Sequence, residues 1–128
     1  MNIPENLLYT KEHEWIRVEG EKGYIGISDF AQHHLGDIVF VELPELDLKF
    51  EMGESIGVIE SVKAVATLFT PATGTITAVN ENLEDTPELL NEDPYENWIA
   101  VIDLSDIGRL AELMSAEAYT AYCETLKD

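Results

Sequence analysis

The chain has 128 residues, of which 45% are hydrophobic, and this length predicts one globular domain with a core of its own. Seven Lys and Arg residues face 26 Asp and Glu residues, which gives a formal net charge of -19 at pH 7. This acidic excess argues against nucleic acid and anionic membranes as partners, because both require positive charge at the contact.

The acidic surface has two interpretations that the composition leaves open. It is either a well-solvated, repulsive surface that keeps the protein monomeric, or a field that steers the chain toward basic pockets on partner proteins. The single cysteine, Cys123, cannot form an intramolecular disulfide, which suits a reducing compartment. No apolar run approaches the roughly 20 residues of a membrane span, and the N-terminus lacks signal-peptide and transit-peptide features. We therefore expect a cytoplasmic monomer, or a mitochondrial matrix protein from which a transit peptide has been removed.

The first part of the chain predicts short strands and one helix. β-branched and aromatic residues mark the strands, and Pro44 ends the last of them because proline cannot join a central ladder. Gly36 lies where a glycine commonly ends a helix. The expected elements are strands over residues 14–18, 23–27 and 37–43, and a helix that begins at Ser28 or Asp29 and ends at His34 or Leu35.

The middle of the chain predicts a β-hairpin. A turn over residues 52–54 leads into strands over 55–60 and 65–70, which a tight tip of Ser61, Val62, Lys63 and Ala64 connects. The tip contains no Gly, Asn or Asp, so it departs from usual turn chemistry. Such a departure indicates a tip that is shaped for a purpose other than turning.

The last part of the chain predicts two further strands and two helices. We expect strands over residues 74–80 and 98–104, and between them a polar loop over 81–96 with one helical turn at 87–90. After Ser105 the apolar residues follow a helical period: Leu110, Leu113 and Met114 mark one helix, and Ser115 caps a second that contains Ala118, Tyr119, Tyr122, Cys123 and Leu126.

Two glycine-led strands flank the hairpin and suggest an internal repeat. Residues 36–41 and 74–79 each begin with Gly and continue as a β-rich run. Similar halves on either side of a hairpin suggest a small two-sheet β sandwich. The predicted fold class is therefore mainly β, with helices at the C-terminus.

Lys63 is the one basic residue between Phe50 and Gly108. An arbitrary lysine at a hairpin tip is usually only a solubilising charge. Here, however, apolar strands support the tip, and the neighbours Val62 and Ala64 carry no charge. We interpret the Lys63 amine as a covalent attachment point that the rest of the chain presents.

Four segments of the chain resemble the glycine cleavage system H proteins, in the same order and at similar spacing. They are YTKEHEW (9–15), GDIVFVELPE (36–45), ESVKA (60–64) and PELLNEDPY (87–95). The resemblance extends from about Leu7 to Leu126. It implies a single lipoyl-carrier domain over 1–128 of the barrel-sandwich hybrid type, with a β core over about 14–104, a lipoyl hairpin over about 55–70 and C-terminal helices over about 105–127.

The resemblance also implies a cofactor and partners. Within ESVKA, Lys63 matches the N6-lipoyllysine, so lipoate would be attached to its amine as an amide. The implied role is a non-catalytic shuttle without a metal. Its implied partners are a pyridoxal-phosphate-dependent glycine decarboxylase, a tetrahydrofolate-dependent aminomethyltransferase, a dihydrolipoamide dehydrogenase, and a lipoate ligase or lipoyl transferase.

The resemblance further implies a surface cleft that shelters the loaded arm. Glu14 and His34 match residues that line it, although His34 could also be a helix residue without a role. Thr67 stands where the family usually has Asp, which removes one charged contact to the arm. The stretch over 95–98 is also shorter than the family's approach to the tryptophan. These departures keep open a paralogue that donates or relays lipoyl groups to other lipoyl domains.

Other functions fit the sequence less well. A biotin carrier usually has methionines beside its lysine, and a lipoyl domain of a 2-oxoacid dehydrogenase is usually followed by a flexible linker. An unmodified acidic interaction protein would leave Lys63 incidental. No nucleophile, base and orienting acid occur together as an enzyme would need. Cys123 is expected in the core, and neither His33 with His34 nor residues 91–93 have the spacing of metal ligands.

Overall fold

The computed structural model describes residues 1–126, so Lys127, at the end of the expected C-terminal helices, lies outside the described part of the chain. The described chain consists of short strands and helices. The strands are β1 (Leu8–Tyr9), β2 (Glu14–Glu19), β3 (Lys22–Ile27), β4 (Ile38–Glu42), β5 (Lys49–Phe50), β6 (Ser55–Ser61), β7 (Val65–Phe69), β8 (Gly74–Val79) and β9 (Ala100–Leu104). The helices are α1 (Asp29–Leu35), α2 (Asn82–Asp85), α3 (Leu89–Glu92), a 3-10 helix (Ile107–Glu112) and α4 (Ala116–Glu124).

The strands in residues 1–126 form two sheets in which neighbouring strands are antiparallel. One sheet has the order β1-β2-β3-β9-β8-β5 and the other the order β4-β6-β7. The expected mainly β, two-sheet architecture with C-terminal helices is therefore confirmed. The two glycine-led strands, β4 and β8, lie in different sheets. None of the described helices has the length and apolar character needed to cross a bilayer.

Aliphatic side chains from both sheets form the main core. Side chains of successive strand residues point to opposite faces, so every second residue of these strands can turn inward. Each fully buried Ile or Leu contributes about 1.5–3 kcal/mol relative to an exposed one. Buried members from the larger sheet include Ile16, Ile25, Ile76 and Ile102, and those from the smaller sheet include Ile38, Val41, Ile59 and Leu68.

Helix α1 begins and ends at the predicted residues. The Ser28 hydroxyl accepts a hydrogen bond from the Ala31 amide at 3.2 Å, as an N-cap side chain does. Gly36 follows the last turn with φ 77° and ψ -153°, a conformation that is essentially restricted to glycine. The sequence around Gly36 therefore stops the helix and turns the chain into β4.

A second, largely aromatic cluster fixes helix α4 against the sheet. Ser115 caps this helix by accepting a hydrogen bond from the Ala118 amide at 3.1 Å, as predicted. The Tyr119 ring stacks on Tyr9 at 4.5 Å between centroids, and Cys123 is buried in the same cluster. The expected core location of Cys123 is confirmed.

Two predictions about the last third of the chain are wrong. Residues 81–96 are not a loop with a single helical turn, because α2 and α3 both lie there and each buries one leucine, Leu83 or Leu90. Elements this short have no periodic pattern that could reveal them. The expected helix around Leu110 is a 3-10 helix that ends at Glu112. Its continuation is prevented because the Met114 backbone pairs with Tyr9 through two hydrogen bonds of 2.9 Å.

The close approach of β6 to β4 generates a prediction at Gly57. A Cβ atom on Gly57 would lie 2.4 Å from the Glu42 carbonyl oxygen, so the Gly57→Ala variant must separate the two strands. We expect it to lower the free energy of unfolding by about 1–3 kcal/mol, as other overpacked cores do. Urea denaturation measures this loss. The control is Gly108→Ala, whose new Cβ would meet nothing closer than 3.8 Å. If both variants lower the free energy of unfolding equally, the close approach of the strands at Gly57 is not the cause.

Candidate functional site

Lys63 is exposed at the tip of the hairpin that β6 and β7 form. Its neighbours Val62 and Val65 are each 68% exposed, although aliphatic side chains of this size are usually buried. The amine is therefore presented beside an exposed aliphatic surface. No carboxylate within residues 1–126 forms an ion pair with the Lys63 amine, despite the acidic composition of the chain.

The Ser61 side chain shapes the tip. Its hydroxyl oxygen accepts hydrogen bonds from the Lys63 amide at 3.2 Å and from the Ala64 amide at 3.0 Å, while the Ser61 amide donates to the Ala64 carbonyl at 2.8 Å. Serine hydroxyls can replace Asn or Asp in this way, although more weakly. This role of Ser61 was not predicted from the sequence, although a serine at the first position of a four-residue tip is a signal that could have revealed it.

The tip is tied to the segment between α1 and β4. The Val62 amide donates a hydrogen bond of 3.0 Å to the Asp37 carbonyl. The Lys63 side chain lies over Gly36, because its Cε atom is 3.5 Å from the position that a Cβ on Gly36 would take. The side-chain stem of Lys63 therefore lies at the C-terminal end of α1.

Glu14 is a buried carboxyl group that connects the two sheets. It is the first residue of β2 and is only 2% exposed. One of its oxygens accepts a hydrogen bond from the Thr10 hydroxyl at 2.7 Å, and the other accepts one from the Phe69 amide in β7 at 2.9 Å. Burial raises the pKa of Glu14 to about 7, although these two hydrogen bonds favour its charged form. Glu14 can therefore hold or release a proton near neutral pH.

His34 lies in the last turn of α1, where its side chain is exposed. Its ring stacks on Phe30 at 4.3 Å between centroids, and Phe30 stacks on His13 at 4.4 Å. Burial lowers the pKa of His13, and the nearby His34 lowers it further. Since His13 directly precedes Glu14 in the chain, these stacked rings connect His34 with the end of β2 that carries Glu14.

Thr67 is exposed on β7, two residues before the Phe69 amide that binds Glu14. The structure thus brings Glu14 and Thr67 to neighbouring parts of two strands. β7 begins two residues after Lys63 and extends about 13 Å to Phe69, at roughly 3.3 Å per residue. Within residues 1–126, no hydrogen bond or ion pair links the Lys63 amine to Glu14, His34 or Thr67.

A groove of about 660 Å³ lies away from the Lys63 tip. The residues that line it include Phe40, Glu42, Leu46 and Glu84, and Lys63 is not among them. Among the described residues, no group of three or more His, Cys, Asp or Glu side chains is arranged to hold a metal ion.

Comparisons with known proteins agree on one family. A family model described as the glycine cleavage H-protein matches residues 7–126. A glycine cleavage system H protein of Syntrophomonas wolfei is 56% identical over 124 residues, which cover 97% of this chain and 95% of that relative. One of Clostridium botulinum strain Hall is 56% identical over 126 residues, which cover 98% of this chain and 97% of that relative.

A solved structure shows the same similarity. The crystal structure of a glycine cleavage system H protein from Mycobacterium marinum superimposes with a TM-score of 0.88 at 36% identity. The superposition covers 95% of this chain and 99% of that one. The likeness therefore extends over both sheets and is not confined to the hairpin.

The buried Glu14 carboxyl generates a prediction about pH. Burial raises its pKa from 4.5 to about 7, so between these values the folded state holds a proton that the unfolded state has released. Stability therefore falls as the pH rises through this window and reaches a lower plateau above pH 7. Relative to the Glu14→Gln variant, we expect the free energy of unfolding of the wild type to fall by on the order of 3 kcal/mol between pH 4.5 and pH 8.

Urea denaturation of both proteins across this pH range measures the effect. Burial lowers the pKa of His13, so His13 also makes stability depend on pH, but it is present in both proteins and its contribution cancels in the difference. The control is Glu45→Gln, a change at an exposed residue whose charge does not shift the pKa of Glu14, so this variant should keep the pH-dependent loss of stability that Glu14 causes. If the free energies of unfolding of the wild type and of Glu14→Gln differ by the same amount at every pH, Glu14 is not a buried titrating group.

Proposed function

The chain belongs to the glycine cleavage H-protein family, and we propose that it is the lipoyl-bearing shuttle of the glycine cleavage system with Lys63 as its attachment point. One observation carries the assignment of Lys63. Its amine is exposed, has no ion-pair partner in the described residues, and belongs to a tip that Ser61 and Asp37 hold in place. An attachment point needs this combination of access and fixed direction.

The proposed cofactor is lipoate, and the residues at the tip fit it. An activated carboxyl group of lipoate would be attacked by the Lys63 amine, which loses a proton as the amide bond forms and the activating group leaves. A ligase or lipoyl transferase must supply the activated acyl group, because a free carboxylate has no good leaving group for an amine to displace. The Lys63 ammonium must also release a proton before its nitrogen can attack. The aliphatic side chains of Val62 and Val65 can contact the acyl chain next to the amide. The change removes one positive charge and takes the net charge from -19 to -20.

When bound, lipoate supplies a dithiolane that is reduced and reoxidised and that carries the aminomethyl group. The proposed contribution of the chain is to position the arm and to exclude water from the cargo. Glu14 binds the Phe69 amide at the end of β7 that is farther from the tip, and an acyl chain on Lys63 would extend the reach of its side chain. We propose that Glu14 and His34 line the resting place of the arm, where Thr67 offers a hydroxyl in place of a carboxylate.

The proposed partners are the enzymes that act on this arm. They are the pyridoxal-phosphate-dependent glycine decarboxylase, the aminomethyltransferase and the dihydrolipoamide dehydrogenase. Tethering raises the effective concentration of the reactive sulfur at each docked enzyme, so the chain needs no catalytic group of its own. We propose one non-catalytic carrier domain, and a cytoplasmic location because the relatives named above are bacterial.

The attachment site is tested by lipoylation in vitro. We expect the wild type to gain the mass of one lipoyl group in intact-mass spectrometry after incubation with lipoate, ATP and a lipoate ligase. Lys63→Arg keeps the charge but cannot form the amide, so it should gain nothing. Lys49→Arg, which alters an exposed lysine on β5, is the matched control and should be modified like the wild type. An adduct on Lys63→Arg would disprove the assignment.

One observation favours a second function, in which the chain relays lipoyl groups to other lipoyl domains. Thr67 offers no negative charge to a cargo amine, whereas the family usually has Asp there. We expect the lipoylated wild type to support glycine-bicarbonate exchange with the decarboxylase, and Thr67→Asp to support it at least equally well. If the lipoylated wild type supports no exchange but donates its lipoyl group to a separate lipoyl domain, the relay function replaces the shuttle.

A further inference from the structure

We propose that Asn91 is a positioning residue for the Lys63 tip, although it does not contact Lys63. This inference rests on the proposed function, because it concerns how the attachment lysine is presented to the enzyme that modifies it. Asn91 belongs to α3, within the segment that the sequence suggested was a loop. Its side chain holds the backbone to which the tip is tied.

The Asn91 side-chain amide binds the backbone on both sides of Asp37. Its Oδ1 atom accepts a hydrogen bond from the Ile38 amide at 2.9 Å, and its Nδ2 atom donates one to the Gly36 carbonyl at 2.8 Å. A primary amide presents one acceptor and two donors on a single planar group, so it can pair with a backbone segment as a neighbouring strand would. Asn91 thus fixes three consecutive residues with one side chain.

The backbone at residues 36–38 needs such a partner. Gly36 follows the last turn of α1 in a conformation with φ 77° and ψ -153°, and Ile38 is the first residue of β4. The Gly36 amide still donates to the Gln32 carbonyl of α1, but between a helix and a strand neither element supplies a regular hydrogen bond to the Gly36 carbonyl or to the Ile38 amide. An unpaired buried amide or carbonyl costs about 1–3 kcal/mol, so losing the Asn91 amide would free the segment to shift.

The orientation of the Asn91 amide is fixed by a second contact. Its Nδ2 atom also donates to the Gln32 Oε1 atom at 3.0 Å, and the Gln32 Nε2 atom donates to Asp29 at 2.8 Å. If the Asn91 amide were rotated by half a turn, its oxygen would face two other oxygens. The network therefore selects the orientation that binds both Gly36 and Ile38.

The tip contacts residues 36–38, the segment that Asn91 holds, in two places. Asp37 lies between Gly36 and Ile38, and its carbonyl accepts the hydrogen bond from the Val62 amide at 3.0 Å. Gly36 underlies the Lys63 stem. Any shift of residues 36–38 therefore moves or loosens the tip, and this path connects Asn91 with the Lys63 amine.

The test compares Asn91→Ala with Asn97→Ala. Asn97 is the control, because its side chain also makes two hydrogen bonds to the backbone: its Nδ2 atom donates to the carbonyls of Leu89 and Asp93 at 3.0 and 2.9 Å. Both variants lose two side-chain hydrogen bonds to the backbone, but only Asn91→Ala removes those to Gly36 and Ile38. If Asn91→Ala does not fold, Asn91→Asp replaces it, since a carboxylate still accepts from Ile38 but cannot donate to Gly36.

Two measurements on the full chain test whether the tip has lost its fixed position. The first is amide hydrogen exchange by NMR at Val62, with Ile59 in the core part of β6 as the internal reference. The second is the steady-state kinetics of lipoylation, with each apo-protein as substrate of a lipoate ligase at a temperature where it is fully folded. We expect Asn91→Ala to speed exchange at Val62 about fivefold or more and to lower kcat/KM about fivefold, mainly through KM, because the ligase must order the tip on binding.

The outcomes separate this inference from the proposed function. Faster exchange at Val62 and a lower kcat/KM for Asn91→Ala, with Asn97→Ala close to wild type in both, supports the positioning role. Equal effects of the two variants, or unchanged exchange at Val62, overturns it and leaves Asn91 with a general structural role. If the wild type itself is not lipoylated at Lys63, the proposed function fails, whereas the exchange measurement still decides whether Asn91 fixes the tip.

Discussion

The hydrogen bond from the Val62 amide to the Asp37 carbonyl is the constraint on which the presentation of Lys63 depends. A two-stranded hairpin alone is only marginally stable in water, so a tip beyond the sheet needs support from outside the hairpin. That bond connects the tip to the end of α1 and the start of β4. The helix cap at Gly36, the register of β4 on β6 and the Ser61 turn all serve to bring these two atoms together.

A second constraint acts at the far end of β7, where Glu14 joins the sheets. A buried carboxyl group loses its hydration, and within residues 1–126 the Glu14 carboxyl group recovers two hydrogen bonds, from Thr10 and Phe69. Since burial raises its pKa to about 7, the group is costly to keep charged at neutral pH. A core built for stability alone would be expected to hold an apolar residue there. This cost is the physical reason to associate Glu14 with function, and it agrees with the resting place that we propose for the arm.

The Lys63 tip differs from the rest of the acidic chain in both charge and polarity. Lys63 has the exposed aliphatic residues Val62 and Val65 beside it, while carboxylates dominate the chain as a whole. Long-range charge directs the approach of a partner, and local shape and apolar contact decide which groups fit together. Acylation of Lys63 would remove the positive charge and leave an apolar tip on an acidic body. The modified and unmodified tips would therefore present different surfaces to partners.

The sequence by itself determined the features that depend on neighbouring residues. The Ser28 and Ser115 caps, the end of α1 at Gly36 and the hairpin around Lys63 follow from local rules, and the family follows from four motifs in order. The tertiary structure alone decided which distant residues meet. Asn91 binds the Gly36 carbonyl across 55 residues of chain, and Glu14 binds Phe69 across another 55. The physical reason is that such side-chain bonds to the backbone depend on how the sheets pack. The residues that make them leave no periodic signal in the chain.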